Sequence, residues 1–231
     1  MTTKKKRKIG EKGVKMKKSK ATLKYVCSFL LVFVMAFACL GLAACGNNEN
    51  GSNNDPKLDL GNSNVLVVYF SATGNTAKVA GYIQEKLEAE TLEIVPTNPY
   101  SAADLDWHNS SSRVNAEHNA YTSNNISSPY YRPQFNKTVD NFENYDVIFI
   151  GYPIWWGEAP NIVYTFLEEY SDDFAGKTIV PFCTSSSSGL GQSANHLHNL
   201  VSSTAIWLTG QRFSSGVSRS TIENWINGLQ L

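Results

Sequence analysis

The chain has 231 residues, of which 42% are hydrophobic and 12% aromatic, a composition that suits one globular domain with additional segments. Its formal net charge of zero is unevenly distributed: eleven of the 20 basic residues lie in residues 4–24, whereas residues 45–231 hold nine basic and 19 acidic residues. Such an acidic body argues against nucleic acid as a partner, since binding to phosphates requires a basic face.

The first 44 residues have the organisation of an export signal. A basic region precedes an apolar stretch over residues 25–40, which is long enough for a signal peptide but short for a transmembrane anchor, the alternative. The following Leu42-Ala-Ala-Cys45-Gly46 resembles the bacterial lipobox, in which cleavage before the cysteine leaves a lipidated N-terminus. The resemblance implies a signal peptide over 1–44, a lipid on Cys45, a flexible tether over 45–63, and a lipid-anchored position on the extracytoplasmic face of the cell membrane.

A buried strand followed by a hydroxyl-rich turn begins the folded part. Val65–Phe70 is an uninterrupted apolar run, too short for a buried helix, and residues 77–90 have apolar side chains at helical spacing. Between them, the free amides and dipole of the helix start favour binding of an anion such as phosphate; an ordinary helix cap is the alternative. The residues assigned to this site are Ser71, Thr73, Gly74, Asn75 and Thr76.

This turn differs from the two common nucleotide-binding loops. It has no lysine, so it is not the P-loop of an ATPase, and it lacks the G-x-G-x-x-G pattern of dinucleotide-binding turns. The anion would therefore be held by dipoles alone.

Further strands and helices alternate along the rest of the chain. The pattern predicts helices beginning near residues 160, 192 and 220, and strands over residues 91–95, 145–151 and 178–184, with a short last strand in two pieces, 205–208 and 212–213. This alternation predicts an α/β fold, a parallel sheet covered by helices on both faces. The polar segment 97–145 either covers a ligand or, as we favour, packs on the sheet edge.

Two later loops also follow buried strands, so we expect them at the same carboxyl edge of the sheet as the first. In the second loop, two adjacent tryptophans are costly to expose unless a planar ligand covers them; two core tryptophans are the alternative. The third loop is rich in serine and glycine, whose backbone is free to donate hydrogen bonds. The residues assigned to the site from these loops are Pro153, Ile154, Trp155, Trp156, Gly157, Thr184, Ser185, Ser186 and Gly189.

Two motifs carry a resemblance to the flavodoxin family. Tyr69-Phe-Ser-Ala-Thr-Gly-Asn-Thr76 resembles the loop that binds the FMN phosphate, and Gly151-Tyr-Pro-Ile-Trp-Trp-Gly157 resembles a flavodoxin-like subgroup found in bacterial lipoproteins and reductases. The resemblance covers residues 64–231 and implies FMN as the cofactor of a doubly wound, five-stranded parallel sheet of order 2-1-3-4-5. It also implies that Trp156 stacks on the isoalloxazine, that the Gly157 peptide turns toward flavin N5, and that the third loop binds the pyrimidine edge.

The sequence departs from the family pattern in the third loop. Many flavodoxins have a second stacking aromatic residue there, whereas this chain has none before Trp207. The departure would leave one face of the flavin open to a substrate.

These features predict an FMN-binding electron-transfer protein anchored outside a bacterial membrane, whose partner is a redox protein or a small electron acceptor. The alternatives are an FMN-dependent reductase of a small molecule such as a quinone, and a binding module that holds no flavin.

No catalytic residue and no metal site is assigned. His196 and His198 would point roughly 200° apart on a helix, which does not suit a shared metal. No Gly-x-Ser-x-Gly motif supports a hydrolase. Cys183 is expected to be a packed thiol, and Glu158 a loop acid that either lies in solvent or tunes the flavin.

Overall fold

The computed structural model describes residues 58–136 and 138–229, which belong to one compact unit, Ser52–Leu231. The predicted signal peptide, the lipidated Cys45 and the tether up to residue 57 lie outside the described residues. Within the described ranges, no helix has the length and apolar character needed to cross a membrane.

One parallel sheet forms the centre of the fold. Its strands are β1 (Val65–Tyr69), β2 (Glu90–Glu93), β3 (Val147–Pro153), β4 (Thr178–Thr184), β5 (Ile206–Trp207) and β6 (Gln211–Phe213). They are arranged in the order β2-β1-β3-β4-β5, with β6 also paired to β4. The three central strands are almost entirely buried, as expected for a sheet covered on both faces. The predicted order 2-1-3-4-5 is confirmed.

The last position of the sheet holds two short strands, so the sheet has six strands rather than the expected five. β5 pairs with Thr178 and Ile179, and β6 pairs with residues 182–184, so the break lies opposite Pro181. Proline has no backbone N–H to donate to a neighbouring strand. Gly210 also approaches this point so closely that a Cβ atom there would lie 2.7 Å from the Pro181 carbonyl oxygen. The sequence predicted this break, because it placed the two pieces of the last strand at residues 205–208 and 212–213.

Helices cover both faces of the sheet, as the alternation of elements predicts. They are α1 (Asn75–Leu87), α2 (Arg113–Thr122), α3 (Asn161–Glu169), α4 (Ser193–His198) and α5 (Arg219–Leu229), with a short 3-10 helix at Phe142–Asn144. The buried side chains of α1 and α5 pack on one face, and those of α3 and α4 pack on the other. The result is a doubly wound α/β fold.

The polar segment 97–145 follows the sheet edge and contains α2. Backbone hydrogen bonds of 2.9 Å from Thr97 N to the Gln134 carbonyl and from Asn136 N to the Val95 carbonyl hold it beside the chain that follows β2. The Asn161 amide at the start of α3 donates to the Glu117 carbonyl at 2.8 Å. The expected packing on the sheet edge is confirmed, but α2 also contributes to the site described next.

Candidate functional site

The loops that follow β1, β3 and β4 meet at the carboxyl edge of the sheet around a cavity of about 530 Å³. This volume lies in the range of roughly 300–1,000 Å³ that is typical of small-molecule sites. The cavity is lined by residues 72–73, 153–156 and 185–188 from the three loops, and by Leu105, Trp107 and Val114 from the segment around the start of α2.

The first loop places a free hydroxyl group beside the start of α1. Gly74 is the N-cap of α1 and has a left-handed φ of 82°, which glycine adopts without strain. The Ser71 hydroxyl is buried and has no hydrogen-bond partner among the described residues. Thr73 lines the cavity, and its hydroxyl accepts a 3.2 Å hydrogen bond from the Asn75 amide. An anion at this helix start would satisfy the Ser71 hydroxyl.

Two of the hydroxyls assigned to the site bond to each other. Thr76 on α1 and Thr184 at the end of β4 are both buried, and their hydroxyl oxygens lie 2.8 Å apart. The pair therefore joins the first loop to the third and lies behind the cavity rather than in its lining. The two threonines therefore support the site from behind its lining.

The second loop is a tight two-residue turn. Trp155 and Glu158 exchange two backbone hydrogen bonds of 2.9 Å, while Trp156 and Gly157 between them have left-handed φ values of 50° and 82°. This geometry is that of a type I′ turn, which favours Asn-Gly at its centre. A tryptophan in the left-handed region is strained, and strain of this kind concentrates at functional sites.

The two tryptophans of this loop have different surroundings. The Trp155 ring packs inward, edge-on to Phe70 and Tyr100 at centroid distances of 5.7 and 5.6 Å. Trp156 remains 41% exposed, and the His118 ring of α2 stacks on it at 4.6 Å. Burial lowers the pKa of His118, which favours its neutral form in this stack. One face of the Trp156 ring is therefore covered by His118.

The third loop is held in place by Arg212 of β6. The guanidinium group donates hydrogen bonds to the Ser186 carbonyl at 3.1 Å and to the Ser188 carbonyl at 3.3 Å. Ser185 and Ser186 line the cavity as assigned, whereas Gly189 lies further along the loop and has open space beside it. The loop also approaches the second one, because a Cβ atom at Gly191 would lie 3.5 Å from the Gly157 carbonyl.

The Glu158 carboxylate is bonded to other side chains rather than free in solvent. Its Oε2 atom accepts a 3.0 Å hydrogen bond from the Tyr164 hydroxyl and lies 2.9 Å from His196 Nδ1. The His198 ring instead packs against Trp207, so the two histidines of α4 diverge as expected. No group of metal-ligating side chains suitable for an ion occurs in the part of the chain that the structure describes.

A buried carboxylate behind Trp155 is a feature that sequence reasoning missed. Glu117 of α2 accepts hydrogen bonds from the Tyr100 hydroxyl at 2.7 and 2.9 Å and from Arg113 Nε at 2.7 Å. The Arg113 guanidinium also lies over the Tyr100 ring at 3.9 Å. Burial raises the pKa of Glu117 and outweighs the opposing effect of Tyr100 and Arg113. This cluster supports the wall of the cavity through Tyr100.

Cys183 is a packed thiol, as expected. It is fully buried in β4, and burial raises its pKa to about 12, which keeps the thiol protonated at neutral pH.

The assigned residues thus fall into three groups. Thr73, Pro153, Ile154, Trp155, Trp156, Ser185 and Ser186 line the cavity. Ser71, Gly74, Asn75 and Gly157 shape the loops around it, and Thr76, Thr184 and Gly189 lie further away. Four further residues at the site were not predicted from the sequence: Leu105, Trp107, Val114 and His118. The sequence signal for them was the presence of aromatic residues in an otherwise polar segment.

Comparison with known proteins identifies relatives. The model of the Flavodoxin family matches residues 64–229. A candidate flavoprotein from Bacteroides eggerthii is 39% identical, with a TM-score of 0.63, over 74% of this chain and 99% of that one. Another from Bacteroides uniformis is 40% identical, with a TM-score of 0.61, over 71% of this chain and 98% of that one.

A more distant structure shares the fold alone. The flavoprotein from Lactobacillus acidophilus, solved in complex with FMN, is 19% identical and has a TM-score of 0.52 over 71% of this chain and 99% of that one. No curated protein matches the chain.

Proposed function

Because the chain belongs to the flavodoxin family, we propose that it binds FMN in the cavity at the carboxyl edge of the sheet and acts in electron transfer. When bound, FMN accepts and donates electrons, while the protein supplies position, charge and exclusion of water.

The Ser71 hydroxyl is the observation that carries this proposal. A buried hydroxyl with no partner costs about 1–3 kcal/mol, and the Ser71 hydroxyl has none among the described residues, so a ligand that bonds to it at the start of α1 would remove this cost. A phosphate oxygen meets that need, and the first-turn amides of α1 add donors. The cavity beside it takes the ring system, with Trp156 as an aromatic surface and Ser185 and Ser186 near a polar edge.

Glu158 supplies a carboxylate beside the site. Tyr164 and His196 hold its carboxylate immediately after Gly157. A negative charge here opposes the addition of electrons to a nearby group and thus lowers its reduction potential. We therefore expect Glu158→Gln to raise the reduction potential of the bound flavin, which a redox titration measures.

The partner of the site is a basic redox protein or a small electron acceptor. The acidic composition of residues 45–231 favours a basic protein surface. The exposed Trp156 in a sizeable cavity favours the second candidate function, an FMN-dependent reductase of a small molecule such as a quinone. Steady turnover of a quinone with reduced nicotinamide would support the reductase. Oxidation and reduction by partner proteins alone would support the carrier.

The unpartnered Ser71 hydroxyl and the likeness to candidate flavoproteins oppose the third possibility, a binding module without flavin. Such a module would need no free hydroxyl at the start of α1 and no strained tryptophan beside the cavity.

We also propose that the protein is anchored through a lipid on Cys45 to the extracytoplasmic face of the cell membrane. The support is the sequence pattern alone, a basic and apolar leader that ends in Leu42-Ala-Ala-Cys45. Growth with a labelled fatty acid tests this proposal. The label should appear on the wild-type chain and be absent from Cys45→Ala; equal labelling of both would refute the anchor.

A further inference from the structure

We propose that Trp107 contacts the bound flavin ring directly and that the covering segment, residues 101–112, closes one side of the cavity. The inference rests on the proposed binding of FMN and extends it to a part of the chain outside the three loops. It assigns a second aromatic contact to a protein whose third loop lacks one.

The position of Trp107 carries the inference. Trp107 lines the same cavity as Trp155 and Trp156, yet 61% of the residue is exposed. Leu105 of the same segment and Val114 add apolar surface beside it. A planar aromatic ligand in the cavity would cover this surface and gain both burial and ring contact.

The covering segment is held by specific hydrogen bonds rather than left as a loose loop. The Asn115 side chain donates hydrogen bonds of 2.9 Å to the carbonyls of Trp107 and Asn109. The Asp104 carboxylate accepts from Ser101 N at 2.8 Å and from its hydroxyl at 2.7 Å. The backbone around Trp107 is therefore fixed before a ligand arrives, which lowers the entropic cost of the contact.

The same helix also contacts Trp156, another residue that lines the cavity. Asn115 holds Trp107, and His118, three positions later on α2, stacks on Trp156. Side chains three positions apart lie on the same face of a helix. One face of α2 thus contacts the backbone of Trp107 and the ring of Trp156, two residues that line the cavity, which links this helix to ligand binding.

Two consequences follow for a bound flavin. Contact with an indole quenches flavin fluorescence, so removal of Trp107 should brighten the bound flavin. Removal of the ring also opens one side of the cavity, so a soluble quencher such as iodide should reach the flavin more readily and FMN should dissociate faster.

Fluorescence titration of FMN into the full chain, purified in mild detergent, tests the inference. Trp107→Ala is expected to weaken FMN binding about tenfold, to increase the emission of bound flavin and to increase quenching by iodide, while Trp107→Phe retains most of the affinity. Ile126→Ala is the matched control, because Ile126 is 72% exposed in the same polar segment but does not line the cavity. It should match the wild type.

The possible outcomes separate the two proposals. If the wild type binds FMN and Trp107→Ala behaves like Ile126→Ala in affinity, emission and iodide quenching, the role of Trp107 is refuted and FMN binding stands. If the folded wild type binds no FMN, both proposals fail. Should Trp107→Ala not fold, Trp107→Leu decides: unchanged emission refutes the contact, and increased emission supports it.

Discussion

The imidazole ring of His118 lies nearly parallel to the indole of Trp156, with ring centroids 4.6 Å apart and an interplanar angle of 16°. The contact joins α2, which lies in a polar segment, to the strained turn after β3. It covers one face of Trp156 and leaves the residue 41% exposed for another contact. The stack therefore orients the side chain that we propose as a surface for the flavin ring.

Replacement of His118 should weaken FMN binding without removing it. An aromatic contact of this kind contributes about 0.5–1.5 kcal/mol, so His118→Ala should weaken FMN binding by roughly 2- to 12-fold. His118→Phe preserves a stacked ring and should bind FMN nearly as well as the wild type. Calorimetric titration of both variants checks this, and equal losses in the two would contradict a stacking role.

Acid should destabilise the fold in part through His118. Its pKa in the folded state lies below the ordinary value of 6.5 because the ring is partly buried. The contribution of His118 to stability is thus complete above pH 6.5 and is lost as pH falls through the lowered pKa. In urea titrations, the unfolding free energy of the wild type minus that of His118→Phe should therefore decrease as pH falls through this window. A difference that grows on acidification would contradict the assignment.

Removal of the Ser71 hydroxyl should weaken FMN binding without lowering the stability of the fold. The Ser71 hydroxyl is buried and has no partner in the part of the chain that the structure describes, so its deletion sacrifices no hydrogen bond there. The unliganded Ser71→Ala variant should therefore unfold at the same temperature as the wild type or higher. FMN binding should weaken roughly tenfold, because the variant loses a hydrogen bond to the charged phosphate. Riboflavin, which lacks the phosphate, provides the control, since its affinity should not change. An equal loss of affinity for FMN and riboflavin would indicate that the phosphate does not bind to the Ser71 hydroxyl.

The left-handed backbone of Trp156 predicts that its variants differ in stability according to how well they tolerate this conformation, whereas all of them lose FMN affinity. A residue in the left-handed region costs roughly 1–2 kcal/mol more than in its preferred conformation, and asparagine tolerates that region best after glycine. Trp156→Asn should therefore be more stable than Trp156→Ala, by about 1 kcal/mol, whereas both should lose FMN affinity. Chemical denaturation and FMN titration of the pair measure the two effects. Greater stability of the alanine variant would argue against strain at this turn.

Glu117 should be a major contributor to the stability of the segment around α2. Glu117→Ala removes the carboxylate that pairs with the largely buried Arg113 and leaves that guanidinium with its hydrogen bond to the Asn98 carbonyl; loss of one partner of a buried pair typically costs about 3–5 kcal/mol. Because burial raises the pKa of Glu117 above 4.5, its contribution is complete below that pH and declines as pH rises through the raised pKa. The stability difference between the wild type and Glu117→Gln should therefore fall from pH 4 towards neutrality.

Urea titrations of these variants at several pH values provide the measurement. Glu169→Gln is the matched control, since Glu169 is exposed at the end of α3. A wild-type advantage over Glu117→Gln that increases with pH would contradict the raised pKa.

Local features of the sequence predicted the central strands and the three loops well. The bounds of β4, 178–184, are those expected, because its apolar run is uninterrupted and a Gly-Lys pair precedes it. The order of the strands did not follow from periodicity and required the resemblance to the flavodoxin family. Long-range pairing leaves no local pattern in a strand that is apolar on both faces.

The walls of the site were harder to predict because they depend on contacts between distant residues. Thr76 and Thr184 are 108 positions apart, and nothing in either loop indicates that their hydroxyls bond to each other instead of to a ligand. α2 has a weak apolar pattern because one of its buried positions is Glu117, whose burial depends on Tyr100 and Arg113. Trp107 and His118 could therefore be assigned to the site only from the folded chain.

Titration of FMN into the purified protein, followed by removal of excess ligand and an absorbance spectrum, measures directly whether the chain binds FMN. We expect one FMN retained per chain, and little or none in a folded double variant with Thr73→Ala and Trp156→Ala. A wild-type protein that is folded by circular dichroism but retains no flavin would contradict the proposed function. Full retention by the double variant would contradict the placement of the site.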